Sequence, residues 1–490
     1  MAAPHMPSPS TRTPVVAGAT PMTSSTSTFP DPRRRPRAVL CRSRLTVLTL
    51  CAALGLGCGS SDGSGDSGPG TDGGGRDDAM TASDGSSGDA RPAGDGGGLR
   101  DAARGDAGSP PPMVGDRARA LALHLRSRSD FLIGMGNDLD GAPTYDPDRA
   151  GAFTLGTGLD LHYMYLVGYS DMGGWPTWNS GGTFVTIQAD AAARHDTVPM
   201  FTYYQLALDY ETGGDPLRDG ARMRVWLSDV RLLFQRLGET GRPAIVHFEP
   251  DLFGYLQERM RTMGTTPEAY SARLHHAEVP ECAAVPETAA GLGDCLLALR
   301  DALAPMTRIG LAASQWADWY DATDPSAGVE GKARSVARFL ASMGAARMDL
   351  IVVETLDRDA GFWETYGGSG AMCSVTDGPR GPVYWDETNA TVPSFQQHLR
   401  WVRALTEGLG VPALWWQTPF GVPSDACGGT DGHYRDNRVR YFFSHVDDLV
   451  AAGGVGAVFG TGAGRQTYIT TDGGQFGDAV AAYFASPLPI

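Results

Sequence analysis

Between residues 131 and 459 the chain carries eight short, almost uninterrupted apolar runs separated by stretches with helical spacing. The runs are 131–135 (FLIGM), 161–167 (LHYMYLV), 198–204 (VPMFTYY), 244–249 (AIVHFE), 309–313 (IGLAA), 349–354 (DLIVVE), 413–417 (ALWWQ) and 455–459 (VGAVF). A strand apolar on both sides is a strand covered on both faces, which points to a parallel sheet wrapped in helices. The segments between them suit that role. GARMRVWLSDVRLLFQRLG spaces apolar residues three and four apart and reads as stopping at Gly238; KARSVARFLASMG, SFQQHLRWVRALTEGLG and a helix over 435–452 follow the same pattern. Eight βα units predict an α/β fold, a (β/α)8 barrel of TIM type, with a helix over 115–128 closing its bottom. A doubly wound open sheet is the other arrangement this order allows. In the barrel, side chains that do chemistry stand at the C-terminal ends of the strands.

Those ends are rich in carboxylates and aromatic rings. The first run leads to Asp138, the second to Trp175 and Trp178, and the third to Tyr203, Tyr204 and Gln205. The fourth ends in Glu249 and Asp251, the fifth leads to Trp316, and the sixth ends in Glu354 and Asp357. The seventh holds Trp415 and Gln417, and His433 lies in the loop beyond it. Indole and phenol rings beside carboxylates and amides suit a sugar, whose C–H faces stack while its hydroxyls hydrogen-bond. Glu249 and Glu354 end apolar strands, where an ionised carboxyl needs a partner or a function. Burial raises a carboxyl pKa, as a general acid requires, and glycosidases use two such groups across the scissile bond. Asp251, Glu249, Glu354 and Asp357 are therefore the catalytic candidates. Asp138, Trp175, Trp178, Tyr203, Tyr204, Gln205, Trp316, Trp415, Gln417 and His433 are the substrate-binding ones. Asp436, in GHYRDNR (432–438), reads as a helix cap.

The rest of the chain bounds the setting. Residues 1–58 read as a signal peptide with a long N-terminal overhang: an arginine cluster, then LTVLTLCAALGLGC. Residues 59–112 are Gly, Ser and Asp with little to bury, a disordered linker. Residues 113–490 form the barrel domain. The formal charge of the whole chain is −16, which argues against nucleic acid and anionic membranes as partners of the folded domain. Of seven cysteines, four fall in the barrel. Cys282 with Cys295, across a short loop, and Cys373 with Cys427, between two long loops, are the favoured disulfides, with a zinc site as the rival use. No G-x-S-x-G elbow is present in the barrel domain, and GTGAGRQ (460–466) lacks the ending of a phosphate loop. The chemistry as read needs no cofactor and no metal.

Three likenesses add to this. LGLGC resembles a bacterial lipobox and implies lipidation at Cys58, with Gly55 where a Leu is usual. AIVHFEPDLFGYL resembles the E-P-D strand end of glycoside hydrolase family 6 cellulases, which implies Asp251 as proton donor. RIGLAASQWADWY looks like that family's strand ending in a tryptophan sugar site. Gln417 and Val422 stand where the family has Lys and Glu, and Leu252 follows E-P-D in place of Ser. The chain also looks like a set of uncharacterised secreted bacterial proteins carrying E-P-D-L-W-G-Y and G-H-Y-x-D-N-R elements. The reading is an exported, cell-surface or secreted glycoside hydrolase acting on a polysaccharide or oligosaccharide, touching a membrane only through a lipid anchor. Asp251 or Glu249 is expected as the acid and Glu354 or Asp357 as the second carboxylate. The alternative is a non-catalytic carbohydrate-binding lipoprotein on the same barrel.

Overall fold

The computed structural model describes residues 113–137, 146–367, 373 and 380–490. The signal, linker, Cys58 and Asp138 lie outside the described residues. The strands are β1 (Leu132–Met135), β2 (Leu161–Val167), β3 (Val198–Tyr204), β4 (Ala244–Phe248), β5 (Thr307–Ala313), β6 (Leu350–Glu354) and β7 (Ala413–Thr418). A two-residue hairpin, β8 (Gly429–Thr430) and β9 (His433–Tyr434), precedes β10 (Gly454–Phe459). The eight longer strands close in the order β1-β10-β7-β6-β5-β4-β3-β2, every neighbouring pair parallel. The result is a (β/α)8 barrel, and each strand coincides with one of the eight apolar runs.

Alternation along the strands separates two cores. Leu132, Leu161, Tyr163, Met200, Ile245, Val352, Leu414 and Trp416 fill the barrel interior. Their sequence neighbours, among them Ile133, Phe201, Val246, Ile351, Val353 and Trp415, pack outward against the helices. The helix Val114–Arg126 lies across the bottom and presses Ala118, Leu121, Ala122 and Leu125 into the interior core. Arg117 fastens it, donating to the Ala346 carbonyl at 3.2 Å and the Gly410 carbonyl at 2.8 Å.

Two helices differ from their sequence reading. The helix Gly220–Thr240 runs past Gly238 and is capped by Gly241 at φ 61°. Gly238 answers a packing need instead: a Cβ there would stand 2.0 Å from the Leu303 carbonyl oxygen. The helix expected over 435–452 is two, Arg438–Ser444 and Val446–Ala451, broken where His445 takes φ −137°. Both expected disulfides are present, Cys282–Cys295 and Cys373–Cys427. Glu364 lies near Cys373 and Cys427 in what is otherwise a metal-ligand grouping among the described residues, but those two sulfurs are bonded to each other.

Candidate active site

The inward column of each strand leads to the mouth. On β6, Leu350 and Val352 face the interior, so Glu354, two residues on, opens at the top. It pairs in register with Trp416 of β7. Tyr165 of β2 lies edge-on to Trp416 at 5.7 Å and to Tyr204 of β3 at 6.3 Å. His247 of β4 meets Trp416 at 4.8 Å. The mouth thus has a floor of aromatic rings, with carboxylates at its rim.

Strict alternation would place Glu249 inside the barrel beside His247. It does not go there. Glu249 takes φ 55°, and this left-handed turn carries its side chain outward. Its carboxylate accepts from the backbone N–H of Gln205 (3.0 Å), Leu206 (3.1 Å) and Ala207 (3.3 Å), and from Trp226 Nε1 at 2.8 Å. It therefore fixes the start of the helix Leu206–Glu211. Burial pushes this carboxyl up to about 7, against the pull of those four donors.

Asp251 also has a left-handed backbone, φ 67°. It begins the helix Leu252–Met263 without capping it, and its Oδ1 instead accepts from Trp316 Nε1 at 3.2 Å. Burial, then the charges of Glu211 and Asp357, push the Asp251 carboxyl up to about 7. Burial, then Asp251 and Asp357, push Glu354 well above the usual carboxylate range, while Arg358 pulls it down. Among the described residues no hydrogen-bond donor reaches the Glu354 carboxyl. Arg358 pairs with its neighbour Asp357 and stacks on Trp363 at 4.8 Å. Glu211 accepts from Tyr204 Oη at 2.9 Å. Gln417, at φ 55°, donates to Tyr165 Oη at 2.9 Å and to the Thr461 carbonyl at 3.0 Å. Left-handed backbones at Glu249, Asp251 and Gln417, all at strand ends, are the kind of local strain that functional sites retain.

The loop after β10 closes against this group. A Cβ on Gly460 would stand 1.9 Å from Tyr163 Oη, and one on Gly462 would stand 2.1 Å from the Asp357 carbonyl oxygen. The glycines of GTGAG permit this approach. They do not form a phosphate cradle.

Several sequence candidates are not brought to the mouth. Trp175 and Trp415 are 0% exposed in the outer core, and a ring with no free face cannot serve as a sugar platform. Trp415 Nε1 donates to His398 Nε2 at 2.9 Å. Trp178 packs edge-on to Phe184 at 5.1 Å. Tyr203 is buried between Trp175, Trp226 and Phe248. Gln205 donates to the Gly168 carbonyl at 2.8 Å. His433 is exposed on the hairpin and bonds to the Thr471 carbonyl at 2.8 Å. Asp436, expected at a helix start and not as a binding group, is buried and accepts from Arg438 N at 2.9 Å at the start of the helix Arg438–Ser444, and from Ala360 N at 2.7 Å. Asp251, Glu354, Asp357, Tyr204, Trp316 and Gln417 do converge. Tyr165, Glu211, Arg358 and the inward Trp416 belong with them and were not among the candidates. Parity from Tyr163 was the available signal for Tyr165.

No protein-family model matches the chain, and no curated protein matches it. Solved structures do. A Mycobacterium tuberculosis endoglucanase, Cel6, in complex with a thio-linked cellobioside, is similar over 54% of this chain and 64% of its own, at 15% identity and TM-score 0.28. The chain therefore spans less than two thirds of that endoglucanase. A Cellulomonas fimi endo-beta-1,4-mannanase double mutant matches over 76% of this chain and 75% of its own, at 12% identity and TM-score 0.40. A Thermotoga petrophila endo-1,4-beta-D-mannanase matches over 72% and 99%, at 13% identity and TM-score 0.41. At these scores and identities the likeness stops at the barrel.

Proposed function

We propose that this barrel is a glycoside hydrolase that cleaves an O-glycosidic bond in an extracellular oligosaccharide or polysaccharide, with Asp251 and Glu354 as its two working carboxyls. One observation carries the reading. Two carboxyls from the ends of β4 and β6 meet at a mouth floored by Tyr165, Tyr204 and Trp416: burial raises both, with Glu211 and Asp357 adding to it at Asp251 and Asp251 and Asp357 adding to it at Glu354, while nearby Glu249 is held by four donors. Close like charges in a partly desolvated site keep a proton between them. A glycosidase needs that condition: one carboxyl protonated to give its proton to the leaving oxygen, the other ionised to face the anomeric carbon. Asp357, paired with Arg358, tunes the pair by its charge. Half-buried Trp316 and the tyrosines offer rings for the sugar.

Two disulfides support an extracellular setting. No helix among the described residues is long and apolar enough to cross a membrane; attachment through a lipid on Cys58 belongs to the same proposal.

The test is a glycan panel read by release of reducing ends. The wild type is expected to release them from at least one glycan, and Asp251→Asn and Glu354→Gln to lower the rate at least 100-fold each. Binding without product from the wild type would reject hydrolysis and leave a carbohydrate-binding barrel.

A further inference from the structure

We infer that Glu354 is the proton donor and Asp251 its ionised partner, with Trp316 the positioning residue that decides between them. The inference rests on the glycosidase reading above. It reverses the role that likeness to family 6 cellulases implies for Asp251.

The argument is about hydrogen bonds. The two carboxyls share a site, and a donor on one of them favours that one's charged form. Trp316 Nε1–H, a group that only donates, points at Asp251 Oδ1 at 3.2 Å. Trp316 is fixed for this task. Its ring lies 5.0 Å from that of Tyr255, and Gly254 leaves it room, since a Cβ there would stand 2.6 Å from the indole. Glu354 has no such donor among the described residues. The charges facing the pair are Glu211 and Asp357, both negative, and Arg358, positive. Asp357 and Arg358 act on both carboxyls, while Glu211 acts on Asp251 and is itself bonded by Tyr204. Tyr165, beside Glu354, is held neutral by burial. The direction of the Glu354 shift, well above the usual range, agrees with the assignment.

In the step, the C1–O bond breaks with its electron pair leaving on the glycosidic oxygen, which takes the Glu354 proton. C1 gains a bond to a water oxygen, and that water's proton passes to Asp251. One water is consumed, and the pair ends with its proton moved from Glu354 to Asp251.

Leaving-group dependence separates the roles, because a departing dinitrophenolate needs no proton and a phenolate does. The probes are the dinitrophenyl and phenyl glycosides of the unit the wild type releases from the panel. Glu354→Gln is expected to lose at least 100-fold in kcat/KM on the phenyl glycoside but under 10-fold on the dinitrophenyl one. Asp251→Asn is expected to lose at least 100-fold on both. Retention of the dinitrophenyl reaction by Asp251→Asn, or equal losses on both probes by Glu354→Gln, overturns the assignment while leaving hydrolysis established. Trp316→Phe keeps a ring and removes the N–H. It is expected to move the acidic limb of the kcat/KM profile upward by about half a pH unit or more, and an unmoved limb overturns the part given to Trp316. A wild type silent on every glycan removes the underlying reading instead.

Discussion

Glu249 accepts four hydrogen bonds and Asp251 one, and that difference sets what each substitution does. In Glu249→Gln the new amide N–H2 confronts backbone N–H groups that have no other acceptor. Leaving buried donors unmet costs about 2–3 kcal/mol, to be read as a lower urea midpoint at unchanged m-value; an unchanged midpoint would show that the helix start does not depend on this carboxylate. Glu354→Gln is expected to act oppositely, losing activity while gaining stability. A carboxyl raised in the folded state binds more protons there than in the unfolded chain, so its contribution falls as pH rises through the window. For Asp251 that window runs from 3.8 to about 7. Wild-type melting temperature is therefore expected to decline across it. Glu354→Gln, lacking one of the two charges, should melt higher at pH 7, by about 2–4 °C for each kcal/mol of relieved repulsion. Equal melting temperatures at pH 7 would mean that the charges do not strain the fold. None of this division was visible in AIVHFEPDLFGYL. Two carboxyls two apart on a strand share a face only while the strand continues, and the left-handed turn at Glu249 ends it.

At the scale of elements, apolar runs locate strands well, because a strand covered on both sides has few polar positions. They do not give its phase. In ALWWQT one tryptophan must face the interior and the other the helices, and both are equally apolar. The observed answer, Trp416 inward and Trp415 outward, depends on the neighbours: His247 and Tyr165 make room inside, His398 offers an acceptor outside. Trp175 departs from the platform role for a related reason: its strand-end loop folds the ring back under the helix layer. Glycine needs were likewise a matter of contact. Gly462→Ala would set a Cβ 2.1 Å from the Asp357 carbonyl and push the β6 loop aside. A displacement of about 1 Å near a reacting pair costs on the order of 100-fold, so kcat should fall by about that factor with little change in melting temperature. Full activity in Gly462→Ala would mean that the β6 loop does not position the site.

For the whole molecule, barrel closure makes the two ends interdependent. The interior core is continuous from the mouth, where Tyr163 and Trp416 lie, to Ala118, Leu121, Ala122 and Leu125 at the bottom. The bottom helix is held at both its flanks. Arg117 reaches the Ala346 and Gly410 carbonyls, and Arg119 reaches the Ile490 carbonyl at 2.7 Å. The C-terminus is tied in turn to the start of β1, with Ile490 N on the Ser129 carbonyl at 2.7 Å and Phe131 N on the Leu488 carbonyl at 2.9 Å. A chain beginning at Met113 should therefore melt and hydrolyse like the full-length protein. A chain beginning at Ser127 lacks Leu121 and Leu125, whose burial is worth about 1.5–3 kcal/mol each, and it leaves the lower interior open to water. Domains of this kind hold about 5–15 kcal/mol in all, so the shorter chain is expected to lose most of its stability. Urea unfolding and limited proteolysis of the two chains, run beside the activity assay, give the comparison. A chain from Ser127 that unfolds at the same midpoint would show that the barrel closes without its plug, and the link between the two ends would have to be given up.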